Sequence, residues 1–281
     1  MVTRKQHYYP RSLLKHFSKD GKVVVYVRKA NRVMKMSYSK VCFSKDTYES
    51  CGVVDNILEN KLSVFEAKIG DIIRYIVNNW YKPNFEISKA NRDTIYQYMW
   101  LQYLRTDAGR IIFVSNLDKI FSPSSRIKPI DLDEIQECQD LIERFNYTFK
   151  EKEFLECFLA SYQCPENMKL HIAISRENLL TSDNPVIGTD NWKQIILPIS
   201  PNLCIEFQDE SINSSPNLIV ELRSDKIRFL NEATINTANY YVISNQDFTL
   251  TQQFYLYSRF RSSSWRFGTS QFKDKNKGSG G

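Results

Sequence analysis

Four polar stretches carry the side chains that could do chemistry in this chain. The first is Gln6-His7-Tyr8-Tyr9-Pro10, whose imidazole could act as a base, an acid or a metal ligand. Because a proline restricts the backbone before it, we expect His7 in an extended or turn segment that faces a cleft. The alternative for a lone histidine is local packing or capping, and the sequence leaves both open.

The second and third stretches have helical periodicity. Glu66 lies on the shoulder of an apolar stripe, and Glu59 lies two turns earlier on nearly the same line. Glu66-Ala67-Lys68 matches the E-x-K part of a common nuclease motif. In those enzymes the acid and the lysine lie on a strand, whereas the periodicity here is helical, so the match is discounted. Gln102, Arg105 and Thr106 form a polar trio on an otherwise apolar segment, so they need hydrogen-bond partners. Arg105 would bind a phosphate or, as the structural alternative, pair with Glu66.

The fourth stretch, Ser182-Asp183-Asn184-Pro185, separates two apolar runs and has the composition of a turn. Loops between rigid elements often carry catalytic carboxylates, and a catalytic carboxylate is expected to face a cleft. Leu197-Pro198-Ile199-Ser200-Pro201, which follows, is typical of a kinked edge strand.

One histidine, two acids and one arginine suffice for phosphodiester hydrolysis. We expect His7 to be the base or a ligand, Glu66 and Asp183 to hold a divalent metal such as magnesium or to orient His7, and Arg105 to stabilise charge on the phosphate. The candidate substrate-binding residues are Arg11, Gln102, Thr106 and Asn184.

The net charge of +6 is unevenly distributed. Residues 1–50 carry +9 and residues 259–277 carry +5, whereas residues 51–258 carry −8. Both basic ends contain aromatic residues, so cations could bind phosphates while rings stack on bases. The sequence therefore favours nucleic acid as a partner, and a solvated basic surface is the alternative. The aromatic residues are Tyr8, Tyr9, Phe17, Tyr26 and Tyr38 at the front and Phe260, Trp265, Phe267 and Phe272 at the back.

Composition limits the class of protein. No apolar run approaches the ~20 residues of a membrane-spanning helix, and the charged N-terminus does not resemble a secretory signal, so we expect a cytoplasmic protein. The six cysteines have no CxxC spacing, so we expect them reduced and mostly buried, and a zinc site is disfavoured. Gly-poor composition gives no dinucleotide-binding or P-loop motif. The terminal 278–281 tract is typical of an added linker.

Periodicity predicts an α+β fold, with residues 1–277 as a single domain. We expect an N-terminal hairpin, a helical middle over about 54–162, a strand-rich part over about 168–257 and two closing helices. The predicted hairpin strands are 23–27 and 33–38, and the later strands are 170–174, 195–199, 203–207 and 218–222. The predicted helices are 54–80, 89–106 with Ser88 as its cap, 131–162 with a break near Asn146, 225–241 and 246–257.

The order and spacing of these motifs resemble the bacterial domain-of-unknown-function family DUF4238 over about residues 6–243. The resemblance implies that His7, Glu66, Gln102, Arg105, Asp183 and Asn184 are the positions to examine, and it implies no particular fold or activity. The matching motifs are Gln6-His7-x-x-Pro10 with Leu14 and Phe17, Glu66, Gln102-x-x-Arg105-Thr106, Ser182-Asp183-Asn184-Pro185 followed by Leu197-Pro198-Ile199-Ser200-Pro201, and Asn231 with Ala238.

The leading hypothesis is a nucleic-acid-processing enzyme that hydrolyses phosphodiesters, in the setting of a toxin or phage-defence effector. The alternative is a non-enzymatic module that binds nucleic acid or a nucleotide, with the polar residues forming a structural network. A purely structural interaction protein is a third class. The single most informative observation is whether His7, Glu66, Arg105 and Asp183 share one cleft.

Overall fold

The computed structural model describes residues 3–118, 130, 132–151, 153–189, 192–212 and 215–260. Most of the basic C-terminal segment, including Trp265, Phe267 and Phe272, and the terminal 278–281 tract lie outside the described residues. The architecture is α+β, as the order of patterns predicts. No helix of the described part is long and apolar enough to cross a membrane.

Strands and helices alternate in blocks along the chain. The strands are β1 (Lys5–His7), β2 (Lys22–Val27), β3 (Arg32–Ser37), β4 (Phe43–Lys45), β5 (Met168–Ile174), β6 (Thr181–Ser182), β7 (Ile187–Thr189), β8 (Gln194–Ser200), β9 (Leu203–Asp209), β10 (Ile219–Glu221) and β11 (Tyr241–Ser244). The helices are α1 (Arg11–Leu14), α2 (Ile57–Asn79), α3 (Lys89–Leu104), α4 (Asp107–Asp118), α5 (Leu132–Glu137), α6 (Gln139–Lys150), α7 (Phe154–Ser161), α8 (Ser224–Thr237) and α9 (250–260).

Three sheets organise the described strands. One has the order β10-β5-β9-β8-β7, a second has the order β3-β2-β11-β6, and β1 pairs with β4. The predicted hairpin is confirmed: β2 and β3 pair from Lys22 opposite Ser37 to Val27 opposite Arg32. The late strand β11 joins this hairpin, so the C-terminal part of the chain completes an N-terminal sheet.

The strand with Pro198 is internal, which corrects the prediction of an edge strand. β8 lies between β9 and β7, with a register irregularity between Pro198 and Ser200 that confirms the kink. β7 pairs only with residues 194–196 of β8, so Pro198 lies beyond the last pair on that side. A proline, which has no N–H, is tolerated there without the loss of a ladder hydrogen bond.

Helix α2 presents its apolar stripe to the core. Ile69, Ile73 and Ile76 are fully buried on it. The helix begins at Ile57 instead of Val54, because Asn56 has left-handed backbone with φ 59°. The predicted cap of α3 is confirmed, since Ser88 Oγ accepts from the Asn91 N–H at 3.2 Å.

Two predicted boundaries are wrong for tertiary reasons. The helical region does not break near Asn146, which lies within α6 and is held by the carbonyls of Thr47 and Glu49. It breaks instead at Cys138 and around Glu153, which has φ 59°. Helix α8 ends at Thr237, earlier than predicted, because the following residues form β11. Helix α4 and the short strands β1, β4, β6 and β7 were not expected.

All six cysteines are free. Cys42, Cys164 and Cys204 are buried, whereas Cys51 and Cys157 are exposed. The expectation of reduced cysteines agrees with this, but burial applies to only half of them.

Replacement of Ile73 by alanine tests the packing of α2. We expect Ile73→Ala to lower the free energy of unfolding by about 2–5 kcal/mol, because the side chain is 0% exposed and its removal leaves a cavity. Val64→Ala on the same helix is the control: Val64 is 68% exposed, so the expected change is within about 0.5 kcal/mol. Chemical denaturation measures both, and equal changes would contradict the assigned face.

Candidate functional site

Arg105 lies at the C-terminal cap of α3 and is 1% exposed. Its Nε donates to the Tyr48 hydroxyl at 2.9 Å, Nη1 donates to Glu66 Oε1 at 2.6 Å, and Nη2 donates to the His7 carbonyl at 2.6 Å. The structure therefore contains the Arg105–Glu66 pair that was the structural alternative. A solvent-side phosphate cannot reach this guanidinium in the present conformation.

The charge of Arg105 is maintained by its neighbours. Burial by itself lowers the pKa of Arg105, but Tyr48 and Glu66 favour the charged form more strongly, and the net pKa is raised. The Tyr48 ring also lies 5.3 Å from the centre of the guanidinium group. Arg105 is thus a permanent buried cation that ties α2, α3, β1 and the segment after β4 together.

The neighbouring polar residues on this helix also have protein partners. Gln102 Nε2 donates to the Tyr8 carbonyl at 2.8 Å, and its Oε1 accepts from the Tyr98 hydroxyl at 2.9 Å. Thr106 Oγ1 accepts from the Gly109 N–H at 3.1 Å, next to the start of α4. Their proposed roles in substrate binding stay predictions, while the observed contacts connect elements of the fold.

His7 lies in β1, in the extended backbone that the sequence predicts, and its side chain is partly exposed. Nε2 lies 3.4 Å from the Ser39 carbonyl, and the ring is 5.5 Å from that of Phe43. Burial lowers the pKa of His7 to about 4; Arg11 and Arg105 add to this effect, and the Ser39 carbonyl opposes it. The imidazole is therefore neutral at neutral pH. Because a carbonyl can only accept, we assign the proton to Nε2, which leaves the lone pair on Nδ1.

Asp183 belongs to a different cluster. It is 2% exposed, and its carboxylate accepts from the backbone N–H groups of Asn239 at 3.0 Å, Tyr240 at 3.0 Å and Tyr241 at 2.8 Å. Burial raises the pKa of Asp183 to about 6, and these N–H groups oppose the rise. The expectation that Asp183 faces a cleft is wrong, because the start of β11 covers it.

Asn184 is likewise bound within the protein. Its Nδ2 donates to the Thr237 carbonyl at 2.7 Å and to Asn239 Oδ1 at 2.5 Å. Residues 182–185 are linked to the N-terminal half through Tyr240, whose N–H donates to Asp183 and whose hydroxyl donates to Asp107, the partner of Arg110. The Tyr8 and Tyr240 rings are also in contact, with centroids 6.2 Å apart. Of the four predicted stretches, those around His7, Glu66 and Arg105 therefore converge directly. The fourth, around Asp183, is linked to them through neighbouring residues.

The predicted metal ligands do not share a site. Glu66 binds Arg105, and Asp183 binds backbone N–H groups in the other cluster. Among the residues that the structure describes, no group of three or more His, Cys, Asp or Glu side chains could hold a metal ion. The hydrogen bonds of Glu66 and Asp183 thus belong to separate networks, and their role as magnesium ligands stays a prediction.

Glu59 is the site residue that motif reasoning did not select. It lies two helical turns before Glu66 on α2, and the charges of Arg105, Glu66, Glu49 and Arg11 act on it. The signal available in the sequence was its position on nearly the same line as Glu66. We call His7, Arg11, Glu59 and Glu66 the His7 cluster.

Basic residues of the N-terminal region lie around this cluster. Arg11, Lys40 and Lys45 are exposed, and the structure shows no ion pair for any of them within the described residues. Lys40 follows Ser39, whose carbonyl contacts His7, and Lys45 ends β4, which pairs with β1. These cations could bind an anion on the solvent side of His7.

The N-terminal aromatic residues do not fit the predicted stacking role. Tyr8, Tyr9, Phe17 and Tyr26 are all 5% exposed or less and belong to the core. Only Tyr38 of the five is partly exposed. Aromatic interleaving in this region is therefore a packing pattern, which leaves the cations as the support for nucleic-acid contact.

Comparison with known proteins gives one family. A family model described as "Protein of unknown function (DUF4238)" matches residues 5–248. No curated protein and no solved structure matches the chain significantly.

Replacement of Asp183 by asparagine tests its structural role. An asparagine amide nitrogen would face a backbone N–H in place of one carboxylate oxygen, so we expect Asp183→Asn to lower the free energy of unfolding by about 1–3 kcal/mol. Asp71→Asn is the control, because the Asp71 side chain is 74% exposed and pairs with Arg74 at the surface. Urea denaturation at pH near 7 measures both variants. Unchanged stability of Asp183→Asn would show that the hydrogen bonds to residues 239–241 contribute little.

Proposed function

The chain belongs to the DUF4238 family of proteins of unknown function, and we propose that it is a nucleic-acid-processing enzyme that hydrolyses phosphodiesters at the His7 cluster. The observation that carries the proposal is a neutral, partly exposed imidazole followed four residues later by the exposed Arg11, which forms no ion pair within the described residues. Arg11 lowers the pKa of both His7 and Glu59, so its guanidinium is close enough to act on both. An anion bound to Arg11 would therefore lie next to an acid and a base.

In the proposed reaction, Arg11 binds the phosphate and stabilises the charge that develops on it. His7 Nδ1 accepts a proton from the attacking water. Arg105 acts as a positioning residue, because it is buried and donates hydrogen bonds to the His7 carbonyl, the Glu66 carboxylate and the Tyr48 hydroxyl. The exposed Arg11 thus takes the phosphate contact that the sequence predicted for Arg105, and the buried Arg105 does not touch the substrate.

A non-enzymatic binding module is the second candidate. It is favoured by the protein partners of Arg105, Gln102, Asp183 and Asn184, which need no substrate to satisfy them. In that case the basic surface binds nucleic acid or a nucleotide, and the polar residues only stabilise the fold. The two candidates share binding and differ in hydrolysis.

Salt dependence tests the shared property. We expect binding to nucleic acid to weaken with salt, with a log–log slope of about −0.7 to −0.9 per phosphate contact. Joint replacement of Lys40 and Lys45 by alanine should lower affinity and make the slope shallower by about one to two contacts. Joint replacement of exposed Lys82 and Lys89 is the charge-matched control and should change neither. Fluorescence anisotropy with single- and double-stranded DNA and RNA measures this, and no binding to any probe at low salt would reject the proposal.

Replacement of His7 separates the enzyme from the binding module. We expect His7→Ala to reduce hydrolysis of the bound nucleic acid by about 10²–10⁴-fold and to remove any toxicity on expression, with little change in affinity. His16→Ala is the matched control, because burial also lowers the pKa of His16 to about 4, and His16 lies outside the cluster. Full activity in His7→Ala would contradict the mechanism. Binding without hydrolysis in the unsubstituted protein would establish the binding module.

A further inference from the structure

The Glu59 carboxyl group, which lies near Arg105, differs from its neighbours in having one oxygen, Oε2, without a hydrogen-bond donor among the described residues. Glu49 accepts hydrogen bonds from Gln6 at 2.6 Å, from Asn56 at 3.1 Å and from Lys150 at 3.2 Å. Glu66 accepts from Arg105. By contrast, Glu59 Oε2 is shielded from solvent and has no hydrogen-bond partner in the described part of the chain. A negative charge at this oxygen would be poorly compensated, so the neutral carboxyl form is favoured.

Elements on several sides contribute the charges that Glu59 faces. Glu66 lies on the same helix, Arg105 extends from the end of α3, and Arg11 extends from α1. The segment after β4 contributes the Glu49 carboxylate and the Tyr48 hydroxyl. The hydroxyl is neutral, so it adds no positive charge to offset an ionised Glu59. Arg105 is already held by Glu66, Tyr48 and the His7 carbonyl, so it attracts Glu59 without bonding to it.

We infer that Glu59 is the general acid of the His7 cluster and donates its proton to the oxygen that leaves phosphorus. The inference rests on the proposed phosphodiester hydrolysis. Water attacks phosphorus while His7 Nδ1 takes one water proton, and the bond from phosphorus to the leaving oxygen breaks as Glu59 protonates that oxygen. The products are a phosphomonoester and an alcohol, and solvent then returns a proton from His7 to Glu59.

The titration of the two groups is consistent with these roles. Burial raises the pKa of Glu59 to about 7, with Glu66 and Glu49 adding to the rise and Arg105 and Arg11 opposing it. Burial lowers the pKa of His7 to about 4. Between these values the acid is protonated and the base is free, which is the required pairing. Hydrolysis should therefore decline above pH about 7, where Glu59 loses its proton, and below pH about 4, where His7 gains one.

The first experiment compares pH profiles of kcat/KM for hydrolysis of single-stranded RNA, single-stranded DNA and bis(para-nitrophenyl) phosphate. Glu59→Gln keeps the size of the side chain but cannot supply an acidic proton, so we expect a loss of about 10²–10⁴-fold without the alkaline limb for RNA and DNA, whose leaving alkoxide needs a proton. Hydrolysis of bis(para-nitrophenyl) phosphate should change much less, because nitrophenolate leaves without protonation. Glu59→Asp should retain part of the activity and an alkaline limb. Asp71→Asn is the control on the same helix and should match the unsubstituted protein, since Asp71 is exposed.

The second experiment needs no activity. A carboxyl whose pKa rises on folding stabilises the folded state most below its unfolded pKa of about 4.5, and this contribution is lost as the pH rises to about 7. Glutamine does not titrate, so the Tm of Glu59→Gln minus that of the unsubstituted protein should grow between these pH values and stay constant above them. Side-chain carboxyl resonances in carbon NMR give the same titration directly, with Glu59→Gln identifying the signal.

The outcomes separate this inference from the proposed function. An active protein whose Glu59→Gln variant keeps its rate and its alkaline limb on RNA or DNA would overturn the general-acid role alone. A Glu59 titration near 4.5 would overturn it as well. No hydrolysis of any of the three probes by the unsubstituted protein would overturn the proposed function and the role of Glu59 together.

Discussion

The burial of the Arg105 guanidinium is the constraint on which the arrangement of the N-terminal half depends. An arginine cannot lose its charge in a protein, so a position that is 1% exposed must supply hydrogen-bond acceptors. A carboxylate from α2, a hydroxyl from the segment after β4 and a carbonyl from β1 do so. Loss of a partner would leave the buried charge of Arg105 poorly compensated, so these contacts stabilise α2, α3, β1 and the segment after β4 against one another.

A second buried arginine extends the same principle. Arg110 of α4 donates to the Thr47 carbonyl at 2.7 Å and to Asn146 at 2.9 Å, and it pairs with Asp107. The Tyr48 ring lies 5.3 Å from both the Arg105 and the Arg110 guanidinium. The segment after β4 receives hydrogen bonds from Arg110 at the Thr47 carbonyl and from Arg105 at the Tyr48 hydroxyl, so these cations help to hold it in position.

Exposure divides the polar motif residues into two kinds. Arg105, Gln102 and Asp183 are buried and have partners, so they are positioned to maintain the fold. His7, Arg11, Glu59 and Glu66 retain access to solvent, so they are the ones that could meet a ligand. The two kinds are coupled, because Arg105 holds both the His7 backbone and the Glu66 carboxylate. A change in the buried group would therefore alter the exposed one through its geometry.

Long periodic segments were determined by the sequence alone: the stripe of α2, the cap at Ser88, the β2–β3 hairpin and strands β5, β8 and β9 follow from local pattern and propensity. The sequence also identified the stretches around His7, Glu66 and Arg105, because polar groups beside apolar faces must find partners. Only the tertiary structure decided the roles of those partners. The start of β11 buries Asp183, Thr47 and Glu49 keep Asn146 inside a helix, and the core takes the N-terminal aromatic rings. These outcomes depend on contacts between residues far apart in the chain, which local periodicity does not encode.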